Sequence, residues 1–224
     1  MGFAEDGFAT APGVATPAEV DRLLRAVEQA RDELAVRSRG GVYAIRNLLS
    51  VVPAVTEWAN SAACRELVEP VLGPTAQAVR GILFDKTPEA NWKVPWHQDL
   101  TIAVRKRAEV AGYGPWTVKA GVPHVQPPVA VLERMLAVRL HLDNCGEENG
   151  PVRVVPGSHR YGRTDAPPET GREVVTCTVA RGGVLLMCPL LWHASSPAAS
   201  AAHRRVIHIE FAAAALPREL EWVS

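Results

Sequence analysis

Seven short runs dominate the chain beyond about residue 78: AVRGILFDK, WKVPWHQDLTIAV, MLAVRLHLDNC, GPVRVVPGSH, EVVTCTV, GGVLLMCPLLWHASS and HRRVIHIEFAAA. They are β-branched or alternating, and Gly, Pro and Asn-Gly turns separate them, which is the pattern of half-buried strands. The first third reads differently. Thr16 is placed as an N-cap, Pro17 at the first helical position and Glu19 to complete a capping box, after which Val20, Leu23, Leu24 and Val27 recur at helical spacing. A second helical region is expected from about Pro53 to Val79, with Val55, Trp58, Leu67 and Val71 on its apolar face and Gly73-Pro74 as the break. Helices followed by many strands predict an α+β domain, mainly β: a sandwich or barrel with the helices packed on one sheet.

The length of 224 residues suits one domain, and the 47% apolar content allows a substantial core. Basic and acidic residues number 24 each, so no net field favours nucleic acid or an anionic membrane, and a small-molecule partner fits better. The four cysteines form no CxxC and suit neither a zinc ribbon nor a disulfide scaffold. No apolar run approaches the ~20 residues of a membrane span, and Glu5 and Asp6 do not suit a signal peptide. A cytoplasmic monomer or weak homo-oligomer is expected. Residues 105–134 form a long Gly- and Pro-rich connection carrying Tyr113, Trp116, Lys119 and His124, and they are read as an active-site lid.

The chemistry starts at His97-Gln98-Asp99. On a strand, positions i and i+2 share a face, so His97 and Asp99 would offer an imidazole and a carboxylate together, two parts of a 2-His-1-carboxylate metal site. His193, after the strand LLMCPLLW, is the best third ligand. In HRRVIHIEF, alternation sends Ile207, Ile209 and Phe211 one way with Arg205, and Arg204, Val206, His208 and Glu210 the other. An interior Arg204 needs an anion, which could be Glu210 or a bound dicarboxylate. His159 reads as a turn residue, His141 as able to face inward, and the cysteines as small buried hydrophobes.

WHQD, LDNCGEENGPVRVVPGSHR and LLWHASSP, with Arg204 eleven residues after His193, resemble the phytanoyl-CoA dioxygenase family over nearly the whole chain. The resemblance implies a double-stranded β-helix, the jelly-roll or cupin-like core, over residues 81–215 of a single domain, with residues 1–80 as mainly helical support. It implies iron(II) held by His97, Asp99 and His193, and 2-oxoglutarate as cosubstrate with O2. Arg204 would hold the cosubstrate's distal carboxylate, with Gln98 and Ser195 as further contacts. Arg139 stands where relatives are expected to place a cosubstrate contact. The implied reaction is hydroxylation of a C–H bond in a small molecule with release of succinate and CO2. Related halogenases generally replace the carboxylate ligand by a small residue, and Asp99 is a carboxylate. Trp116, Lys119 and His124 are candidate substrate contacts. The competing readings are a cupin-like isomerase or hydrolase that does not use 2-oxoglutarate, and a catalytically silent binding protein of the same fold.

Overall fold

The structure is a computed structural model, and it describes residues 2–33, 43–87, 91–199 and 203–223. In chain order, α1 (Phe3–Asp6) and β1 (Phe8–Ala11) lead into α2 (Pro17–Glu33). Next come β2 (Tyr43–Arg46), α3 (Leu48–Val51), α4 (Pro53–Ala59) and α5 (Ala62–Leu72). The strands β3 (Gln77–Lys86), β4 (Val94–His97), β5 (Ile102–Ala103), β6 (Trp116–Lys119) and β7 (Val122–Val125) precede α6 (Val129–Leu132). The chain continues through β8 (Met135–His141), β9 (Val152–Val154), β10 (Val175–Cys177), β11 (Val184–Met187), β12 (His193–Ser195) and β13 (Arg204–Ala212).

The capping box forms as expected. Thr16 N–H donates to the Glu19 carboxylate at 2.8 Å, Glu19 N–H donates back to Thr16 Oγ1 at 3.3 Å, and α2 buries Val20, Leu23, Leu24 and Val27. The helix expected from Pro53 to Val79 is two helices. Ser61 caps the second by accepting from Cys64 N–H at 3.4 Å, and the chain is already strand at Gln77. A capping serine inside an apolar helical pattern restarts the helix in a new direction.

Every strand pairing is antiparallel. The large sheet runs β1-β11-β8-β13-β3-β2 and the smaller one β10-β9-β12-β4. On the helix side of the large sheet, Leu136, Val138 and Leu140 of β8 and Ile207, Ile209 and Phe211 of β13 are buried against α2, α4 and α5. A buried leucine of this kind costs about 2–5 kcal/mol to truncate to alanine, so this layer sets the position of β8 and β13. Between the two sheets, Ala137, Leu185, Met187, Val152, Val154 and Leu191 fill the β11 side. The β3–β13 side holds a cavity lined by both polar and apolar residues. This is the expected mainly β jelly roll with helices on one sheet.

The 105–134 connection is not structureless. β6 and β7 form a hairpin, β5 adds a third strand, and Val125, Val131 and Leu132 are buried with Ile102 and Val104. Its short strands and scattered apolar residues lie below the length at which alternation is legible, which is why the sequence suggested a bare loop.

Candidate metal centre

Alternation on β13 turns Arg204, Val206, His208 and Glu210 towards the space between the sheets, opposite the buried apolar face. Register then arranges their neighbours. On β3, Lys86 lies opposite Arg204, Ile82 opposite His208 and Arg80 opposite Glu210, while β8 sets Arg139 beside His208. The cavity that Arg80, Ile82, Arg139, Arg204, His208 and Glu210 share with β4 and β12 has a volume of about 300 Å³.

Into it project His97, Asp99 and His193, whose ligand atoms all lie within 4.8 Å of one another. β12 pairs with β4 so that His193 faces His97, with ring centroids 4.1 Å apart. Asp99 arrives differently from the sequence expectation. β4 ends at His97, and Asp99 sits just beyond it, its N–H held by Pro189 C=O at 2.9 Å. His97 Nδ1–H donates to Pro95 C=O and His193 Nδ1–H to Leu191 C=O, each at 2.9 Å. Carbonyls only accept, so both rings present a bare Nε2 to the cavity. Each Nε2 stands 3.7 Å from a different Asp99 oxygen, too far for a hydrogen bond and suited to a shared cation. His193 is buried, while His97 and Asp99 are 37% exposed towards the cavity.

The electrostatics agree with a metal-binding role. Burial pushes the His193 imidazole down to about 4, so it is neutral with its lone pair free. Burial alone would raise Asp99, but His193, His208, His97 and Arg139 outweigh it and bring the carboxyl to about 2. Two imidazoles and one carboxylate on one side of an open space form the donor set of a non-haem iron(II) site with free positions.

Arg204 and Arg139 make the second half of the site. Glu210 is not the partner of Arg204, because its carboxylate pairs with Arg80 Nη1 at 2.9 Å. Arg204, 3% exposed, donates to Gly150 C=O and weakly to Ser195 Oγ at 3.5 Å. Arg139 reaches His208 Nδ1 at 3.0 Å and lies over the Phe84 ring. Among the described residues neither guanidinium has a carboxylate within ion-pair distance, and the Nε of both is buried without a partner. Two such buried cations lining one cavity fit a small dicarboxylate.

Ser195 also lines this end, accepting from Lys86 Nζ at 2.8 Å and donating to Gly150 C=O at 3.0 Å. Gln98 does not. Its Nε2 donates to Leu190 C=O at 2.6 Å and Gly162 C=O at 2.8 Å, its Oε1 accepts from Thr164 N–H at 3.1 Å, and the amide braces the backbone away from the cavity. Of the three candidate substrate contacts, only Lys119 lines the cavity, donating to Thr101 Oγ1 at 3.1 Å. Trp116 instead packs in the cluster beneath the hairpin with Arg107 over its ring, and His124 is buried with Nδ1–H on Val122 C=O at 2.9 Å. His159 sits in a 3-10 turn near Ala4 C=O, His203 pairs with Asp85 at 3.0 Å, and His141 is buried. Cys64, Cys145 and Cys177 are buried and Cys188 half-buried, all as free thiols.

The sequence reading passed over Arg46, Arg80 and Lys86. Lys86 is 1% exposed, and burial, aided by Arg204, pushes its ammonium down to about 7. The signal was present as alternation in RGILFDK, where Arg80, Ile82, Phe84 and Lys86 share a face. Only the register with β13 shows that this face turns to the cavity side, where Arg80, Ile82 and Phe84 form the wall.

Gly150 ties the Asn-Gly turn to this end. Its φ of +60° is left-handed, and a Cβ there would run into Ser196 C=O. Gly150→Ala is expected to lower stability by about 1–3 kcal/mol. Because Gly150 C=O accepts from Arg204 and Ser195, the variant should also weaken the binding of a small dicarboxylate at this end of the cavity. Denaturation midpoints and a calorimetric titration read both effects, and an unchanged titration would separate the turn from the site.

A jelly roll enclosing two histidines, one carboxylate and open space defines a cupin-type metalloprotein. Residues 3–206 match the model of the phytanoyl-CoA dioxygenase (PhyH) family, and the chain belongs to that family. It is similar to AviO1 from Streptomyces viridochromogenes Tue57, at 26% identity and a TM-score of 0.67, covering 97% of this chain and 94% of the other. It is similar to EvdMO1 at 27% identity and a TM-score of 0.69, covering 95% of this chain, which spans about half (49%) of EvdMO1. HygX from Streptomyces hygroscopicus, solved with nickel and 2-oxoglutarate bound, shares the fold at 17% identity and a TM-score of 0.67, covering 94% of this chain and 84% of the other. Among curated proteins, Dioxygenase himG from Aspergillus japonicus is 34% identical over 73 residues, which is 33% of this chain and 22% of the relative.

Proposed function

We propose that this chain is an iron(II)- and 2-oxoglutarate-dependent dioxygenase that hydroxylates a C–H bond of a small-molecule substrate, releasing succinate and CO2. The carrying observation is that His97, Asp99 and His193 share one cavity with two buried guanidiniums that have no carboxylate partner among the described residues. Family membership supports the reading. On it, His97, Asp99 and His193 hold the iron, Arg204 with Ser195 takes the distal carboxylate of 2-oxoglutarate, and Arg139 adds positive charge to the same wall. Iron, 2-oxoglutarate and O2 together supply the oxidant that removes hydrogen from the substrate carbon.

The chain's own residues do the positioning. Pro95 and Leu191 carbonyls hold the two imidazoles in the tautomer that points Nε2 inward. Arg204 and Arg139 compensate the cosubstrate's charge, and Ile82, Phe84, Val94 and Val152 line the cavity with apolar surface that limits water. The β6–β7 hairpin, with Lys119 facing inward, serves as the lid. Asp99 favours hydroxylation over halogenation, since it occupies with a carboxylate the position that a halide would need.

Succinate release screened over a metabolite library, with mass spectrometry of each hit, tests the reading. A product heavier by one oxygen atom is expected. A product of unchanged mass, or one lacking two hydrogens, would replace hydroxylation by epimerisation or by desaturation or ring closure. No succinate with any substrate, and none in its absence, would sink the oxygenase assignment.

A further inference from the structure

The cavity has a second cationic end, which neither the proposed metal ligands nor the cosubstrate contacts account for. Along β13, Arg204 and Glu210 lie six residues apart, about 20 Å at ~3.3 Å per residue. The row at Arg204 carries Lys86, and the row at Glu210 carries Arg80. His208 and Arg139 form a row between them, and Asp99 lies within electrostatic reach of both. The His97–Asp99–His193 group therefore stands between two positively charged ends.

At the second end three cations face one carboxylate. Arg80 is paired with Glu210, which also lies 3.5 Å from His208 Nε2. Arg46, on the neighbouring strand β2 and opposite Ile82, is exposed at the cavity wall and has no carboxylate in ion-pair distance among the described residues. Lys119 crosses from the hairpin and, among the described residues, donates only to the Thr101 hydroxyl. Burial lowers both Lys119 and Arg46, and Arg80 repels each of them further. In a chain with zero net charge, this local excess does not reflect a generally basic surface. Cations gathered against their mutual repulsion in a partly buried cavity gain when an anion enters, and two guanidinium forks with an ammonium suit a carboxylate or a phosphate.

We propose that Arg46, Arg80 and Lys119 form the substrate subsite, binding an anionic group, carboxylate or phosphate, of the molecule to be oxidised and so holding its reactive carbon beside His97, Asp99 and His193. The substrate class is thus a small acid or phosphate ester. This inference rests on the oxygenase reading, which gives the Arg204 end to 2-oxoglutarate.

The test uses full-length protein under anaerobic conditions with iron(II) and 2-oxoglutarate, titrated calorimetrically with benzoate, phenyl phosphate and uncharged benzamide. At least one anion should bind saturably and benzamide should not, the tighter anion identifying the group recognised. The double variant Arg46→Gln/Lys119→Gln should weaken that anion by about tenfold or more while the visible iron–2-oxoglutarate band keeps its intensity. Arg204→Gln should do the reverse. Equal anion affinity in the double variant, benzamide binding as well as the anions, or no anion binding would each overturn the subsite. Anion binding that depends on Arg46 and Lys119 in a protein that never develops the band would leave the subsite standing and sink the oxygenase reading.

Discussion

His193→Ala is expected to abolish the weak visible band that anaerobic protein develops with iron(II) and 2-oxoglutarate, and to take succinate formation with it. His193 supplies one of the three donor atoms gathered within 4.8 Å, and its Nε2 is free only because Leu191 C=O holds Nδ1–H. Loss of an outer partner of a metal ligand costs about 10- to 100-fold in affinity, and loss of the ligand itself should cost more. The fold should tolerate the change, since among the described residues the buried ring makes only that one hydrogen bond, and burial keeps it neutral. Circular dichroism and a thermal midpoint near that of the parent protein would establish this. A band of full strength in the folded variant would remove His193 from the metal site.

The second large effect is expected at Arg204. Arg204→Gln should weaken 2-oxoglutarate by the 2–5 kcal/mol typical of losing one partner of a buried charge pair, or roughly 30- to several-thousand-fold. The loss should be specific to the distal carboxylate, so that the variant no longer prefers 2-oxoglutarate to the monocarboxylate pyruvate. Its stability without ligand distinguishes this role from a structural one. Breaking a buried structural ion pair costs about 3–5 kcal/mol, but Arg204 pairs with no carboxylate of the described residues. The ligand-free variant should therefore melt within a few degrees of the parent and gain far less on adding 2-oxoglutarate. A large fall in the ligand-free midpoint, with 2-oxoglutarate still stabilising the variant as it does the parent, would make Arg204 a scaffold residue instead.

Much of this site was legible as strand alternation. His97, the inward face of β13 and the outward Ile207, Ile209 and Phe211 follow from a period of two, while His193 was found from its place at the end of an apolar strand. Gln98, proposed as a cosubstrate contact, faces away from the cavity and spends its amide on Gly162, Leu190 and Thr164. Where alternation was assumed to continue it did not, because β4 ends at His97 and Asp99 is held by a loop contact to Pro189. The hairpin of β6 and β7 was missed because strands of four residues leave too little periodic signal.

By itself the sequence determined the class of fold, the order of helix and strand, and the histidines and carboxylate able to hold a metal, since these depend on local periodicity and side-chain chemistry. Only the tertiary structure decided which charges meet. Glu210 stands on the same face as Arg204 in the sequence, yet it pairs with Arg80 of the neighbouring strand and leaves Arg204 without a carboxylate among the described residues. Arg80, Arg46 and Lys119 reach the cavity from three different strands for the same reason. Coulomb interactions act over a few ångströms of space and take no account of distance along the chain. The partner of a buried charge is therefore set by cross-strand register, which no single strand encodes.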